Sequence, residues 1–154
     1  MTTCDIEVRK AAPDDAPYVA ALYRQLVDIP AVTVLPERIA EIANDKNTAL
    51  FVCEYDGEPQ GTALVSLCSD VMFGSQPFAV VENVVVGISV RGRGIGTTML
   101  RHIEAFCSAK DCSKIMLLSS VQRDNAHQFF ERSGFIGSSK LGFVKYRSAF
   151  KATI

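Results

Sequence analysis

VRGRGIGTTML, residues 90–100, joins a valine-rich run to a run whose apolar residues have helical spacing. The preceding PFAVVENVVV (77–86) predicts a long strand. The first amides of a helix lack intrahelical acceptors and lie at the positive end of its dipole. Strand, glycine turn and helix in this order therefore predict a phosphate-binding site. The apolar residues that predict the helix, with one buried face, are Ile95, Met99, Leu100, Ile103, Phe106 and Cys107.

The glycines and arginines of this turn favour the same interpretation. Gly92, Gly94 and Gly96 remove side chains that would block close approach, while Arg91 and Arg93 add positive charge. Three glycines also weaken the start of a helix, and a bound pyrophosphate would explain their presence. The residues predicted to bind it are Arg91, Gly92, Arg93, Gly94, Ile95, Gly96 and Thr97.

Two common nucleotide motifs do not fit this turn. The glycine spacing is G-x-G-x-G rather than the G-x-G-x-x-G of dinucleotide sites, and no Lys-Ser or Lys-Thr pair follows as in a P-loop. A mononucleotide-binding domain of doubly wound type stays open as an alternative, because the glycine turn still predicts a phosphate site.

Outward from the turn, strand and helix patterns alternate along the chain, which predicts a mixed α/β fold. Asp56-Gly57 predicts a tight hairpin between two strands. Gly134 predicts the left-handed cap of the last helix. The predicted strands are 4–10, 49–55, 59–69, 77–86, 114–120 and about 142–150, and the predicted helices follow residue 15 and occupy about 36–44, the segment from 95, and 123–135.

Composition limits the class of protein. The 154 residues, with 48% apolar and 21% charged content, predict one soluble domain over 1–154. No stretch approaches the roughly 20 apolar residues of a membrane helix, and the first residues lack a signal-peptide pattern, so we expect a cytoplasmic protein without a membrane partner. The five scattered cysteines have neither zinc nor redox spacing, so no metal is expected.

Charge is distributed unevenly although the net charge is only −1. Residues 1–72 hold 12 acids and 5 bases, whereas residues 73–154 hold 5 acids and 11 bases. This asymmetry favours an anionic ligand on the C-terminal half. Nucleic acid is not expected, because the chain is slightly acidic and has no dense basic stripe with interleaved aromatic residues.

Two motifs resemble the GNAT family of N-acetyltransferases. Arg91, Gly94 and Gly96 match its R/Q-x-x-G-x-G/A loop for the acyl-CoA pyrophosphate, and residues 126–135 match its A-x-x-F-Y-x-x-x-G-F signature. The resemblance covers nearly the whole chain. It implies acetyl-CoA as cosubstrate and transfer of the acetyl group to an amine. The implied fold is a twisted mixed sheet of about six or seven strands, splayed at its centre and flanked by about four helices.

The same resemblance implies roles for further residues. In the family the strand matching 81–86 is bulged, and its backbone pairs with the pantetheine arm, which assigns Val84, Val85 and Val86 to coenzyme binding. Glu82 is the candidate base, acting directly or through water, with a structural or substrate-orienting role as the alternative. The amide of Val84 or a neighbour is a candidate donor to the thioester carbonyl. Arg123 and Phe129 are the further coenzyme contacts.

Phe130 departs from the family pattern, which places tyrosine there, close to the coenzyme sulfur. A phenyl ring cannot donate a proton, so Tyr146, Ser119 or Ser120 could substitute as the acid, or solvent could protonate the thiolate. Of these, Tyr146 is the predicted catalytic residue. A catalytically weak or silent acyl-CoA-binding domain is the alternative function.

The acceptor is the least determined part of the hypothesis. In the family its cleft matches 28–38 and 70–78, which are largely apolar here and contain Asp28, Glu37 and Asp70 as candidates for attracting an amine. A small-molecule amine is the expected partner. Phosphorylated or phosphonate amines, cationic amines and a peptide N-terminus all stay open, and the resemblance leaves a homodimer open.

Overall fold

A five-stranded mixed sheet organises the first part of the chain in this computed structural model, which describes residues 4–152. The strand order is β1-β2-β3-β4-β5, with the first three pairings antiparallel and the β4–β5 pairing parallel. The chain divides into two compact units, Met1–Leu117 and Leu118–Ile154, and the whole sheet belongs to the first. The strands are β1 Ile6–Lys10, β2 Thr48–Tyr55, β3 Glu58–Cys68, β4 Phe78–Val86 and β5 Ile115–Leu117.

Four α-helices lie within residues 4–152. Proline stands in the first turn of α1 and of α2, where its missing N–H has no intrahelical partner to lose. No helix in the described part of the chain is long and apolar enough to cross a membrane. The helices are α1 Ala16–Leu26, α2 Pro36–Ala43, α3 Ile95–Ala109 and, in the second unit, α4 Asp124–Arg132.

The two faces of the sheet pack against different helices. On β2, Phe51 meets the rings of His102 and Phe106 of α3 at centroid distances of 5.0 and 5.3 Å. Leu50 and Val52 point the other way, into an apolar cluster with residues of α1 and α2. The alternation follows from the two-residue period of a strand, and it separates an α3 face from an α1/α2 face.

Local signals in the sequence placed two turns correctly. Asp56 and Gly57 have φ of +52° and +83°, the pair of positive values that a two-residue hairpin turn between β2 and β3 favours. Gly134, two residues after α4, has φ of +92° and is the predicted left-handed cap.

The predicted final strand at 142–150 is wrong. The structure has only a short 3₁₀ turn there, Arg147–Ala149, and Phe143 and Val144 are 90% and 59% exposed. Alternating apolar residues become a strand only beside a neighbouring backbone, and this segment has no ladder partner among residues 4–152. The mixed sheet and the four helices are confirmed, but the sheet has five strands rather than six or seven.

Candidate functional site

A bulge interrupts β4 at the centre of the candidate site. Leu64 of β3 pairs with Glu82, and Thr62 pairs with Val85, so two steps on β3 correspond to three on β4. The extra residue is accommodated at Asn83, whose φ of +56° is rare outside glycine and tolerated best by asparagine and aspartate. Glu82 and Val85 consequently share one face of the sheet, although a regular strand would place them on opposite faces.

Beyond the bulge one edge of β4 lacks a neighbouring strand. Parallel pairing with β5 covers only Ala79 to Val81, whereas pairing with β3 continues to Val86. Within the described part of the first unit, no strand pairs with the other edge of residues 82–86. This open edge is where an extended ligand could add as a further strand.

The glycine turn leads directly from this edge into α3. Gly92 and Gly94 have φ of +78° and +86°, and a Cβ on either would meet nothing within 4 Å. Glycine is therefore favoured here by backbone conformation, and the space beside it is open. Thr98 donates the first helical hydrogen bond, to the Gly94 carbonyl at 3.0 Å, so the amides just before it have no acceptor within the helix.

The two arginines of the turn point to different partners. Nε of Arg91 donates to the Val86 carbonyl at 3.1 Å, which ties the turn to the end of β4. Nη1 of Arg93 donates to the Tyr55 hydroxyl at 3.0 Å, and its guanidinium lies 5.7 Å from the Tyr55 ring centroid. Sequence reasoning missed Tyr55, because nothing local indicates that the β2–β3 hairpin reaches this turn.

Glu82 is exposed and stands opposite Leu64 on the α1/α2 face. On that face a cavity of about 210 Å³ lies between α1, α2 and the sheet, with Leu64 and Tyr23 among its lining residues. Burial raises the pKa of Tyr23, and a hydrogen bond with the Asn83 side chain opposes this rise. Tyr23 is a second residue that sequence reasoning missed.

Residues 28–38 and 70–78 have different places in the structure. Thr33, Val34 and Leu35, which belong to the predicted acceptor region 28–38, line the cavity. In the other region, the Asp70 carboxylate accepts the amides of Val71 and Met72, an arrangement that caps its own loop.

The remaining predicted residues belong to the second unit. Arg123 precedes α4, and its carbonyl accepts the His127 amide at 3.0 Å. Phe130 is only 6% exposed, and its ring contacts those of Phe129 and Phe135 at 5.5 and 6.0 Å. Tyr146 is 74% exposed.

Ser119 has a feature that the other candidate acids lack. Its Oγ is buried and has no hydrogen-bond partner among the described residues. A buried hydroxyl without a partner is uncommon in native proteins and indicates a place for a ligand or water.

No cluster of three or more histidine, cysteine, aspartate or glutamate side chains within residues 4–152 could hold a metal ion. The five cysteines are free thiols, of which Cys53 and Cys107 are buried.

Comparison with known proteins agrees with this geometry. The profile of the acetyltransferase (GNAT) family matches residues 18–135. An aminoglycoside N(6')-acetyltransferase type 1 of Stenotrophomonas maltophilia is 29% identical over 143 residues, covering 90% of this chain and 91% of that protein. A glucosamine 6-phosphate N-acetyltransferase of Trypanosoma brucei brucei is 26% identical over 136 residues, covering 85% of this chain and 89% of that protein.

Among solved structures, a protein of Agrobacterium tumefaciens str. C58, named as a provisional acetyltransferase, superposes with a TM-score of 0.82. The two sequences are 30% identical, and the superposition covers 92% of this chain and 99% of the Agrobacterium chain. The mixed sheet described above is therefore the fold of these proteins.

Proposed function

Because the chain belongs to the acetyltransferase (GNAT) family, and is accordingly an N-acetyltransferase that uses acetyl-CoA, we propose that it acetylates the primary amine of a small molecule with Glu82 as base. One observation carries this proposal: the bulged strand β4 exposes an edge beside Glu82 and continues into the glycine turn at the start of α3.

The open features of the first unit would accommodate the coenzyme. The unpaired edge of Val84, Val85 and Val86 would bind the pantetheine arm by main-chain hydrogen bonds. The amides of Gly96 and Thr97 would bind the diphosphate at the positive end of α3, next to the open space at Gly92 and Gly94. Arg91 and Arg93 supply positive charge at the same turn, and Ile95, buried at 1% exposure, anchors it to the core.

Glu82 would accept the proton that the acceptor ammonium must lose before it can attack. The amine nitrogen then forms a bond to the thioester carbonyl carbon as the carbon–sulfur bond breaks. The first proton passes from Glu82 to solvent. The nitrogen loses its second proton as the amide forms, and the departing thiolate takes up one proton to give the free coenzyme thiol. The Val84 amide would donate to the carbonyl oxygen as negative charge develops there.

The proton donor to the departing sulfur is the open part of the mechanism. Tyr146, Ser119, Ser120 and solvent are the candidates, and the unpartnered Oγ of Ser119 supports that residue. Arg123 and Phe129 remain proposed coenzyme contacts in the second unit. Phe130 has a packing reason to be phenylalanine, since its ring is buried against two others.

The test is amine-dependent release of coenzyme A thiol from acetyl-CoA, with the acetylated product identified by mass spectrometry. A panel of alkyl amines, sugar amines, aminoglycosides and short peptides should include at least one that gives steady turnover. Binding of acetyl-CoA without turnover on any amine would instead support the silent domain. A blank without amine is needed, because the Cys4 thiol is exposed and reacts with thiol reagents.

A further inference from the structure

A row of side chains leads across the sheet from Glu82 into the apolar cavity. Leu50 of β2 pairs with Leu64 of β3, and Leu64 pairs with Glu82 of β4. Directly opposed residues on neighbouring strands point to the same face, with Cβ atoms about 5 Å apart. Leu50 and Leu64 both line the cavity. The cavity therefore begins one residue pair away from the candidate base.

The cavity walls are mainly hydrocarbon. Ile39 and Ile42 come from α2, Val19 from α1, and Val34 and Leu35 from the loop between the helices. A volume of about 210 Å³ exceeds the ~150 Å³ of an apolar cavity that holds benzene. A phenyl ring or a branched alkyl group would fit there with a short linker.

Only three lining residues carry polar side-chain atoms, namely Tyr23, Thr33 and Arg38. The guanidinium of Arg38 already pairs with the Glu41 carboxylate, so its charge is offset within α2. A polyhydroxylated sugar placed in this cavity would bury several hydroxyl groups without partners, which is costly. An apolar group would instead exchange water for hydrocarbon contacts.

A carboxylate next to the cavity complements an amine. Glu82 is exposed and pairs with the lining residue Leu64, so a protonated amine that leaves the cavity beside Leu64 would approach this carboxylate. Tyr23 lines the same cavity, and its hydroxyl interacts with Asn83, the residue next to Glu82. One ligand could thus contact the apolar wall and the candidate base together.

We infer that the acceptor is a primary amine attached to a compact apolar group, such as an arylalkyl or branched alkyl amine, with this group in the cavity and its nitrogen at Glu82. The inference rests on the proposed function, because it names the substrate class of the same site. It distinguishes this chain from relatives whose names specify aminoglycosides or glucosamine 6-phosphate.

The first experiment compares kcat/KM for phenethylamine, ethylamine and glucosamine with saturating acetyl-CoA. Phenethylamine should exceed both other amines by roughly tenfold or more, the effect expected from burying one aromatic group. Glucosamine preferred over phenethylamine would overturn the inference and leave the proposed function intact.

Variants then locate the apolar group. Ile42→Phe adds volume inside the cavity and should lower the preference for phenethylamine over ethylamine by about tenfold. Ile136→Phe, the same change at a residue 72% exposed in the second unit, should leave this preference as it is. Leu35→Phe, at the partly exposed rim, serves if Ile42→Phe does not fold. An unaltered preference in both cavity variants would contradict the inference.

Binding gives a readout that does not depend on turnover. Calorimetry should detect phenethylamine binding to the chain saturated with coenzyme A, and weaker binding to the Ile42→Phe variant. If coenzyme A binds but phenethylamine does not, the inference fails alone. If coenzyme A does not bind either, the proposed function fails with it.

Discussion

Glu82 is the residue on which the proposed chemistry depends most directly. Glu82→Gln should lower turnover at neutral pH by about 10²-fold or more, and less at high pH, where the amine loses its proton without help. Steady-state kinetics between neutral and alkaline pH measures this difference. Glu104→Gln, at an exposed carboxylate on α3, is the control and should keep wild-type turnover at both neutral and alkaline pH. A uniform fall for Glu82→Gln across pH would indicate a positioning role instead.

Asp15 forms a partly buried ion pair that we expect to stabilise the first unit. It is 5% exposed, and its carboxylate accepts two hydrogen bonds from Arg9, at 2.7 and 2.9 Å, and one from the Ala12 amide. Asp15→Asn should lower the free energy of unfolding by about 2 kcal/mol in urea titrations at neutral pH. Glu41→Gln, which breaks an exposed pair with Arg38, should cost under about 1 kcal/mol.

The pH dependence of this contribution has a definite sign. The Arg9 hydrogen bonds hold the pKa of Asp15 below its usual value. The stabilisation is therefore complete above about pH 4, the pKa of an unfolded aspartate, and is lost as the pH falls through the lowered pKa. An unfolding difference between wild type and Asp15→Asn that persists unchanged at the lowest pH would contradict this assignment.

Residues that belong to short motifs could be identified from sequence, whereas residues in distant contacts could not. Arg91 and Gly94 stand in one short motif, so their spacing indicated their grouping, whereas Glu82 was assigned by resemblance to the family. Tyr55 meets Arg93 across 38 residues of chain, and Tyr23 reaches Asn83 from α1. Such contacts depend on strand register and helix orientation, which local patterns do not determine.

At the scale of elements, the amino end of α3 is the predicted binding site for the diphosphate of the coenzyme. Gly96→Glu should place a carboxylate among the helix-start amides and raise the acetyl-CoA dissociation constant by about tenfold or more. Gly96→Gln has nearly the same size without the charge, so it separates electrostatic from steric effects. Equal affinities for wild type and Gly96→Glu, measured by calorimetry, would show that the anion binds elsewhere.

The elements themselves were predictable to different degrees. The helices could be predicted from apolar periodicity, and the hairpin from its turn residues Asp56 and Gly57, because both signals are local. The bulge at Asn83 was expected only by resemblance, since a valine-rich run reads as a regular strand. The segment 142–150 has the alternating pattern of a strand, but its side chains are exposed. The prediction failed because an alternating pattern does not reveal whether a neighbouring strand is available for pairing.

At the scale of the whole molecule, burial of thiols predicts a loss of stability at alkaline pH. Burial raises the pKa of Cys53 to about 11 and that of Cys107 to about 12, against about 8.5 for an unfolded cysteine. The unfolded chain therefore loses these protons first, and the stabilisation present below about pH 8.5 declines as the pH rises through the folded values. Urea unfolding under reducing conditions should give a smaller free energy at pH 10 than at pH 7.5. Equal values would indicate that the thiols are not shielded in the folded state.

The central claim is that acetyl-CoA binds along the open edge of β4 and at the start of α3. Calorimetric titration of the folded chain with acetyl-CoA tests it most directly, with Gly96→Glu and Gly96→Gln titrated in parallel. The account predicts saturable binding at one site per chain, weakened about tenfold or more by the glutamate and less by the glutamine. Folded wild-type chain that gives no binding heat and no thermal protection with acetyl-CoA would contradict it.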